Sequence, residues 1–425
     1  MARFALESLG CKLNQAEIEA LSRELVRRGH ELVDTVECAD AYVLNTCTVT
    51  HVADRKSRHA LRMARGKNPC AIRVALGCYA RRAPGDLLRP DIADRILTSR
   101  EVTEIAGALE NADNLGQPAD FSSTISRPAR TRSFIKVQDG CTSFCSFCIV
   151  PHVRIPESSR PMDVVLQEIK TGIDSGVREI VLTGTRIGNY RSNGLQSGDL
   201  AALVRSVLRS TRVPRLRLSS LGPHDLSTGM LKLWAEHCLC PHLHLPLQSG
   251  SDSILRRMNR PYSLSEYVRS VERARQMIPD LAVTTDILVG FPGETEKDFE
   301  ESCDFCTRMG FAGIHVFTFS PRAGTTAYLF PDQIDERIKK ERSIRMLSLS
   351  AQSARDFRHR FIGRNMEVLW EKKDGRNIWN GLTRNYMRVF AESDEDLSGR
   401  LLPARLMAVH SQGLVGQLVH GGGNG

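Results

Sequence analysis

Phe134-Ile-Lys-Val-Gln-Asp-Gly140-Cys141-Thr-Ser-Phe-Cys145-Ser-Phe-Cys148 is the stretch on which the reading of this chain turns. Phe134–Val137 has the composition of a short strand. Directly after it come three cysteines in a C-x3-C-x2-C run. A cubane iron–sulfur cluster has four irons and normally takes four thiolates. Three close thiolates therefore hold three irons and leave the fourth open. An open iron can take the amino and carboxylate groups of S-adenosylmethionine and pass one electron to its sulfonium, so that the difficult chemistry belongs to the cofactor. Zinc is the competing reading, but it normally recruits a fourth ligand at tetrahedral spacing.

Working outward, strand and helix patterns alternate from Phe134. Strands are predicted at Phe134–Val137, Glu179–Leu182, Arg215–Leu218, His242–Leu245, Leu281–Leu288 and Gly313–Phe319. Between the first two, Val165, Ile169 and Ile173 share one face of a helix over Asp163–Asp174. Six such units predict an open, partial (β/α)6 barrel over 133–356, with its chemistry at the carboxyl ends of the strands. Those ends are polar or glycine-rich, and Gly184, Ser219, Ser220, Gln248 and Ser249 are the candidates for binding an adenosine and methionine moiety. Ordinary loop chemistry would supply the same residue types.

The first 112 residues also alternate, with strands at Phe4–Leu9, Tyr42–Asn45, Ile72–Leu76 and Arg95–Thr98. A helix over Asn14–Arg28 has Asn14 and Glu17 at capping-box spacing and Gly29 at its stop. This pattern predicts an α/β domain with a doubly wound parallel sheet. Cys11, Cys47 and Cys78 each follow a strand, and loops at the carboxyl ends of neighbouring parallel strands converge on one crevice. The three thiols could meet there and hold a second cluster, or could be small buried side chains. Residues 113–132 are polar with no sustained period and read as a linker. From 357 to 425, short alternating segments at Met366–Trp370, Tyr386–Ala391, Arg405–His410 and Leu414–Val419 predict a small β-barrel of a kind that often binds oligonucleotides, before a Gly-rich tail.

The chain has 425 residues, 58 basic against 49 acidic, for a net charge of +9. That excess suits a polyanionic partner such as RNA. The helical stretch Asp54–Lys67 holds Arg55, Lys56, Arg58, Arg62, Arg65 and Lys67, which suits either an RNA backbone or a solvated face. Twelve cysteines are many for a chain that begins with no apolar leader and has no run of roughly 20 apolar residues, so a cytoplasmic, metal-binding protein is expected. Cys303 and Cys306 lie inside a helical pattern, and packing is the expectation for them and for Cys38, Cys70, Cys238 and Cys240. A zinc-stabilised RNA-binding protein without enzymatic activity is the alternative class.

The motifs LGCKLNQAE, LNTCTVT, GCYA, QDGCTSFCSFCIVP, LTGTRIGNY, HLHLPLQSGS, TDILVGFPGET and GLTRNYMRV, in this order, resemble the methylthiotransferase family of radical S-adenosylmethionine enzymes. The resemblance covers nearly the whole chain. It implies an auxiliary [4Fe–4S] cluster on Cys11, Cys47 and Cys78, a radical [4Fe–4S] cluster on Cys141, Cys145 and Cys148, and a C-terminal TRAM module. It further implies that one S-adenosylmethionine donates a methyl group to sulfur while a second is cleaved, and that no catalytic side chain is needed beyond the ligands. The expected substrate is N6-threonylcarbamoyladenosine beside the anticodon of tRNA, with isopentenyladenosine or an aspartate of a ribosomal protein as the sister-branch alternatives. An electron donor is implied as a partner. One departure stands out: after Ile149-Val-Pro the family often has Arg-Gly, whereas here Arg154 precedes Ile155 and Pro156.

Overall fold

The structure, a computed structural model, describes residues 1–110, 131–192, 198–375 and 377–419. Most of the expected linker (113–130) and the Gly-rich tail lie outside the described residues, and Arg132 already belongs to a strand. No helix among the described residues is long and apolar enough to cross a membrane.

The N-terminal part is a five-stranded, all-parallel sheet in the order Glu31–Leu32, Arg3–Ser8, Ala41–Thr46, Ile72–Gly77, Arg95–Ile96. Separate apolar cores cover its two faces, one around Leu44, Leu61 and Tyr79 and the other around Phe4, Leu21, Leu25 and Val43. Strand order reverses at Arg3–Ser8 and Ala41–Thr46, so the loops after these strands open into a switch-point crevice. The first helix runs Lys12–Arg27, two residues earlier than the pattern predicts, and Gly29 ends it at φ +86°. Asn14 and Glu17 lie inside that helix and do not cap it; Cys11 is at the cap, without a side-chain bond. Both side chains are spent at the site described below.

Six parallel strands follow: Arg132–Asp139, Glu179–Gly184, Arg215–Leu218, His242–His244, Ala282–Val289 and Gly313–Thr318. Ladders join the first three and the last three, and the parallel bridges Leu216↔Leu239 and Ser220↔His244 link the two halves. The arc is open, and both of its edges are covered. At the first strand the Glu19 carboxylate accepts the Phe134 N–H at 3.1 Å, and at the last the Ser350 hydroxyl donates to the Ile314 carbonyl at 2.8 Å. Covering free strand edges in this way prevents pairing with foreign chains. The main core lies between the outer helices and the convex face of the arc, leaving the concave face polar.

Beyond the long helix Glu336–His359, a closed five-stranded barrel runs in the order Asn365–Asp374, Ile378–Thr383, Arg388–Glu392, Gly413–Leu418, Leu401–His410. Ile378–Thr383 escapes the sequence pattern because Asn380 and Gly381 break its apolar alternation. A Cβ at Gly381 would stand 2.5 Å from the Leu369 carbonyl, so the neighbouring backbone requires glycine there. This module seats against the amino ends of the large barrel's strands. The buried Arg215 guanidinium donates to the Leu382 carbonyl at 2.8 Å. Tyr386, at φ +70°, stacks on His242 with ring centroids 4.6 Å apart, and the Arg217 guanidinium lies 4.6 Å over the same ring.

Candidate functional site

Cys141, Cys145 and Cys148 occupy the loop after strand Arg132–Asp139, at the carboxyl end of the barrel. The loop is pinned through Ser146, whose N–H donates to the Met258 carbonyl (3.0 Å) and whose hydroxyl donates to the Arg257 carbonyl (2.8 Å). Burial pushes the Cys148 thiol up to about 12, and Cys145 and Cys141 lie close enough to add to the shift. The Arg260 guanidinium stands 3.4 Å from the Cys145 Sγ.

Cys11, Cys47 and Cys78 follow three adjacent strands of the N-terminal sheet, and the sheet brings their loops together. A Cβ on Gly10, at φ +105°, would lie 2.9 Å from the Cys47 Sγ, so the Cys11 loop rests directly on Cys47. Burial pushes the Cys47 thiol up to about 12, with Cys78 and Cys11 both adding to it. The all-thiol donor sets suit an iron–sulfur cluster, whose irons normally take thiolates.

The two trios are neighbours. Cys78 packs against Ile149 and Val153, in the segment immediately after Cys148. Beside this contact the buried Arg154 serves both sides. Its Nε lies 3.1 Å from the Cys78 Sγ, and its Nη1 donates to Glu17 (2.8 Å) and Asp139 (2.9 Å). Its Nη2 donates to Asn14 Oδ1 at 2.9 Å, while the Asn14 amide donates to the Leu9 and Thr46 carbonyls, the residues before Gly10 and Cys47. A second buried arginine, Arg322, closes the other side by donating to the Thr48 carbonyl and to Asp54, both at 2.6 Å. Sequence reasoning missed Arg154, Arg322, Asn14 and Glu17 as site residues. The departure from Arg-Gly was the one signal near them, and it leaves the Arg154 side chain in place while Ile155 points outward.

Burial alone would raise the Glu17 carboxyl, but the Arg154 guanidinium holds it at about 2. The folded value lies below the ordinary one, so the stabilisation is present above about pH 4.5 and is lost as the pH falls towards 2. Arg154→Met leaves Glu17 buried with Lys136 at 3.7 Å, and Asp139 buried with Lys136 at 3.6 Å and Arg100 at 3.5 Å. The expected cost is about 3 kcal/mol, read as a lower denaturation midpoint at neutral pH. Between about pH 4.5 and 2 the variant's stability should also fall less steeply than the parent's.

Of the residues expected to receive the nucleoside, Ser219 is the most telling. Its hydroxyl is buried at the end of strand Arg215–Leu218 and has no partner among the described residues. Such an orphan marks a missing ligand or water. Ser220 is next to it and bridges to His244, and Gln248, at φ +75°, bridges to Ile287. Gly184 ends its strand where a Cβ would meet the Gln138 carbonyl at 2.6 Å. Ser249 turns the other way, its hydroxyl 3.3 Å from that of Ser302 on helix Glu296–Met309.

The basic helix runs His51–Lys67, capped by Thr50. Arg62 pairs with Asp91 (2.9 Å) and Lys67 with Glu37 (3.2 Å), Arg58 reaches the Tyr79 hydroxyl and Arg65 the Pro90 carbonyl. Only Arg55 and Lys56 lack such partners among the described residues. Cys306 is buried in the main core and Cys303 packs against it.

Residues 135–306 match the radical SAM superfamily, and residues 3–98 match a family described as uncharacterised protein family UPF0004. The threonylcarbamoyladenosine tRNA methylthiotransferase MtaB of Bacillus subtilis (strain 168) is 34% identical, over 96% of this chain and 94% of that protein. A tRNA-2-methylthio-N(6)-dimethylallyladenosine synthase of Syntrophotalea carbinolica is 32% identical, over 99% of this chain and all of that protein. Among solved structures, the radical S-adenosylmethionine methyltransferase TsrM from Kitasatospora setae shares the fold, with a TM-score of 0.53 and 15% identity over 75% of each chain. Similarity at this level along the whole length, with the cysteine loops where the fold requires them, leaves one conclusion: the chain belongs to the radical S-adenosylmethionine methylthiotransferase family, on its MtaB branch, and is an enzyme that uses a [4Fe–4S] cluster and S-adenosylmethionine.

Proposed function

We propose that this chain inserts a methylthio group at position 2 of N6-threonylcarbamoyladenosine beside the anticodon of tRNA. In this reading Cys141, Cys145 and Cys148 hold the radical cluster, and Cys11, Cys47 and Cys78 hold an auxiliary one. When bound, the two clusters supply one-electron cleavage of S-adenosylmethionine and the sulfur that is transferred. The protein's own part is placement. Arg260 and Arg154 set a guanidinium beside one sulfur of each trio, at 3.4 and 3.1 Å. Ser219, Ser220 and Gln248 line the S-adenosylmethionine site with Gly184, and Ser249 fixes the turn behind them. The domains are the N-terminal sheet that carries the auxiliary site, the six-stranded barrel and the C-terminal RNA-binding module, working in the cytoplasm with an electron donor.

The observation that carries this reading is the contact between the trios: Cys78 packs on Ile149, next to Cys148. Sulfur chemistry and radical chemistry can then act on one substrate atom. The MtaB relatives, similar over their full length, supply the substrate. The test is nucleoside mass spectrometry of tRNA from cells lacking the gene, with and without complementation. The methylthiolated threonylcarbamoyladenosine should vanish and return. Loss of the dimethylallyl product instead would assign the chain to the sister reaction. Binding of purified protein to tRNA should weaken steeply with salt, as phosphate contacts require.

A further inference from the structure

We infer that His244, Asp286 and His315 form a subsite on the concave face of the barrel that takes the carboxylate- and hydroxyl-bearing substituent on N6 of the target adenosine. This rests on the substrate proposed above and adds the residues that would read it.

The register of the sheet locates the trio. Ser220 bridges His244, His244 pairs with Thr284, and Thr284 pairs with Gly313, so these four form one row across the arc. Asp286 and His315 pair two register positions further towards the carboxyl ends, on the same face of the sheet. The trio therefore lies beside Ser219 and Ser220, on the side of the sheet turned away from the main core. From the opposite side Lys12, the residue after Cys11, extends its ammonium to within 5.6 Å of the Tyr386 ring, on which His242 stacks. Lys12, His244 and His315 thus all lie close to His242.

The side chains are built as a polar receptor. The Asp286 Oδ1 lies 3.3 Å from the His244 Nε2 and 3.2 Å from the His315 Nδ1. Behind them the Thr284 hydroxyl joins the His244 Nδ1 and the His242 Nε2, each at 3.0 Å. Side-chain exposure rises outward, from 10% at His244 through 20% at Asp286 to 60% at His315. Burial works against ionisation of Asp286, yet hydrogen bonds from the two histidines hold its carboxyl well below the usual range. The pair thus anchors the His315 ring by one nitrogen and leaves Nε2 without a partner among the described residues. Phe317, two residues on and on the same face of the strand, is also exposed and offers an apolar surface beside it. With Nδ1–H committed to Asp286, a neutral His315 accepts a hydroxyl proton at Nε2, and a protonated one donates to a carboxylate. A threonylcarbamoyl group carries both functions; a dimethylallyl group carries neither.

The test uses the holoenzyme, reconstituted with iron and sulfide, and two anticodon stem-loops that bear threonylcarbamoyladenosine or dimethylallyladenosine. His315→Phe removes both ring nitrogens, and His315→Gln keeps a polar side chain at this position. Iron and sulfide contents establish that each variant is folded and loaded. His315→Phe should raise KM for the threonylcarbamoyl stem-loop roughly tenfold or more, the scale of one hydrogen bond to a charged group, with a smaller change in kcat. It should also narrow the preference between the two stem-loops, and His315→Gln should recover part of the loss. Equal KM values for parent and His315→Phe would overturn the inference. So would stoichiometric Zn2+ or Co2+ binding abolished by His315→Phe with KM unchanged, since the three ligand atoms lie within 4.8 Å of one another and that result would assign them to a cation. A parent enzyme inactive on the threonylcarbamoyl stem-loop would refute the substrate reading itself, whatever the variants do.

Discussion

Cys145→Ala is expected to stop formation of 5′-deoxyadenosine, to below roughly a thousandth of the parent rate, a loss of about 4 kcal/mol in transition-state terms. Cys145 is the middle residue of its loop, and two thiolates cannot replace three at a cubane with one open corner. The backbone should survive, because the loop is pinned through Ser146 and through the Cys148 N–H to the Cys145 carbonyl at 2.9 Å, neither of which uses the sulfur. Iron should fall from about eight to about four per chain, since the other trio follows strands of the N-terminal sheet. The assays are anaerobic product analysis and metal content. Full cleavage activity in a variant with half the iron would show that the radical cluster lies elsewhere.

Cys47→Ala should separate the two halves of the reaction. Its thiol is one of three that the N-terminal sheet delivers to a single crevice. The variant should still cleave S-adenosylmethionine abortively, because Cys141, Cys145 and Cys148 are untouched. Methylthiolated nucleoside should fall to about a thousandth of the parent level, as expected when one member of a unit that acts together is removed. Product at the parental rate would remove the auxiliary trio from the mechanism.

Much of this architecture is legible in the chain itself. The alternation of strands and helices specifies the parallel sheet and the six-unit arc because each strand is buried on at least one face and its length follows from its apolar run. The cysteine loops are legible because metal ligation ties residue type to spacing. Arg154 and Arg322 are not, since a buried arginine looks like a surface one until the fold supplies its carboxylates. Asn14 and Glu17 illustrate the same limit: their spacing fits a helix cap, but the helix begins earlier and tertiary contacts claim both side chains. Ile378–Thr383 is hidden because Asn380 and Gly381 answer to barrel packing and not to strand propensity.

The seat of the C-terminal module has a mechanical consequence. Tyr386 and Arg215 lock it to the base of the large barrel, and Arg364 adds an ion pair to Asp280 at 2.5 Å. In the proposed function, an RNA held on the outer surface of that module would stand at a set span from the concave face of the large barrel, so that the rigid seat would act as a jig for the target nucleotide.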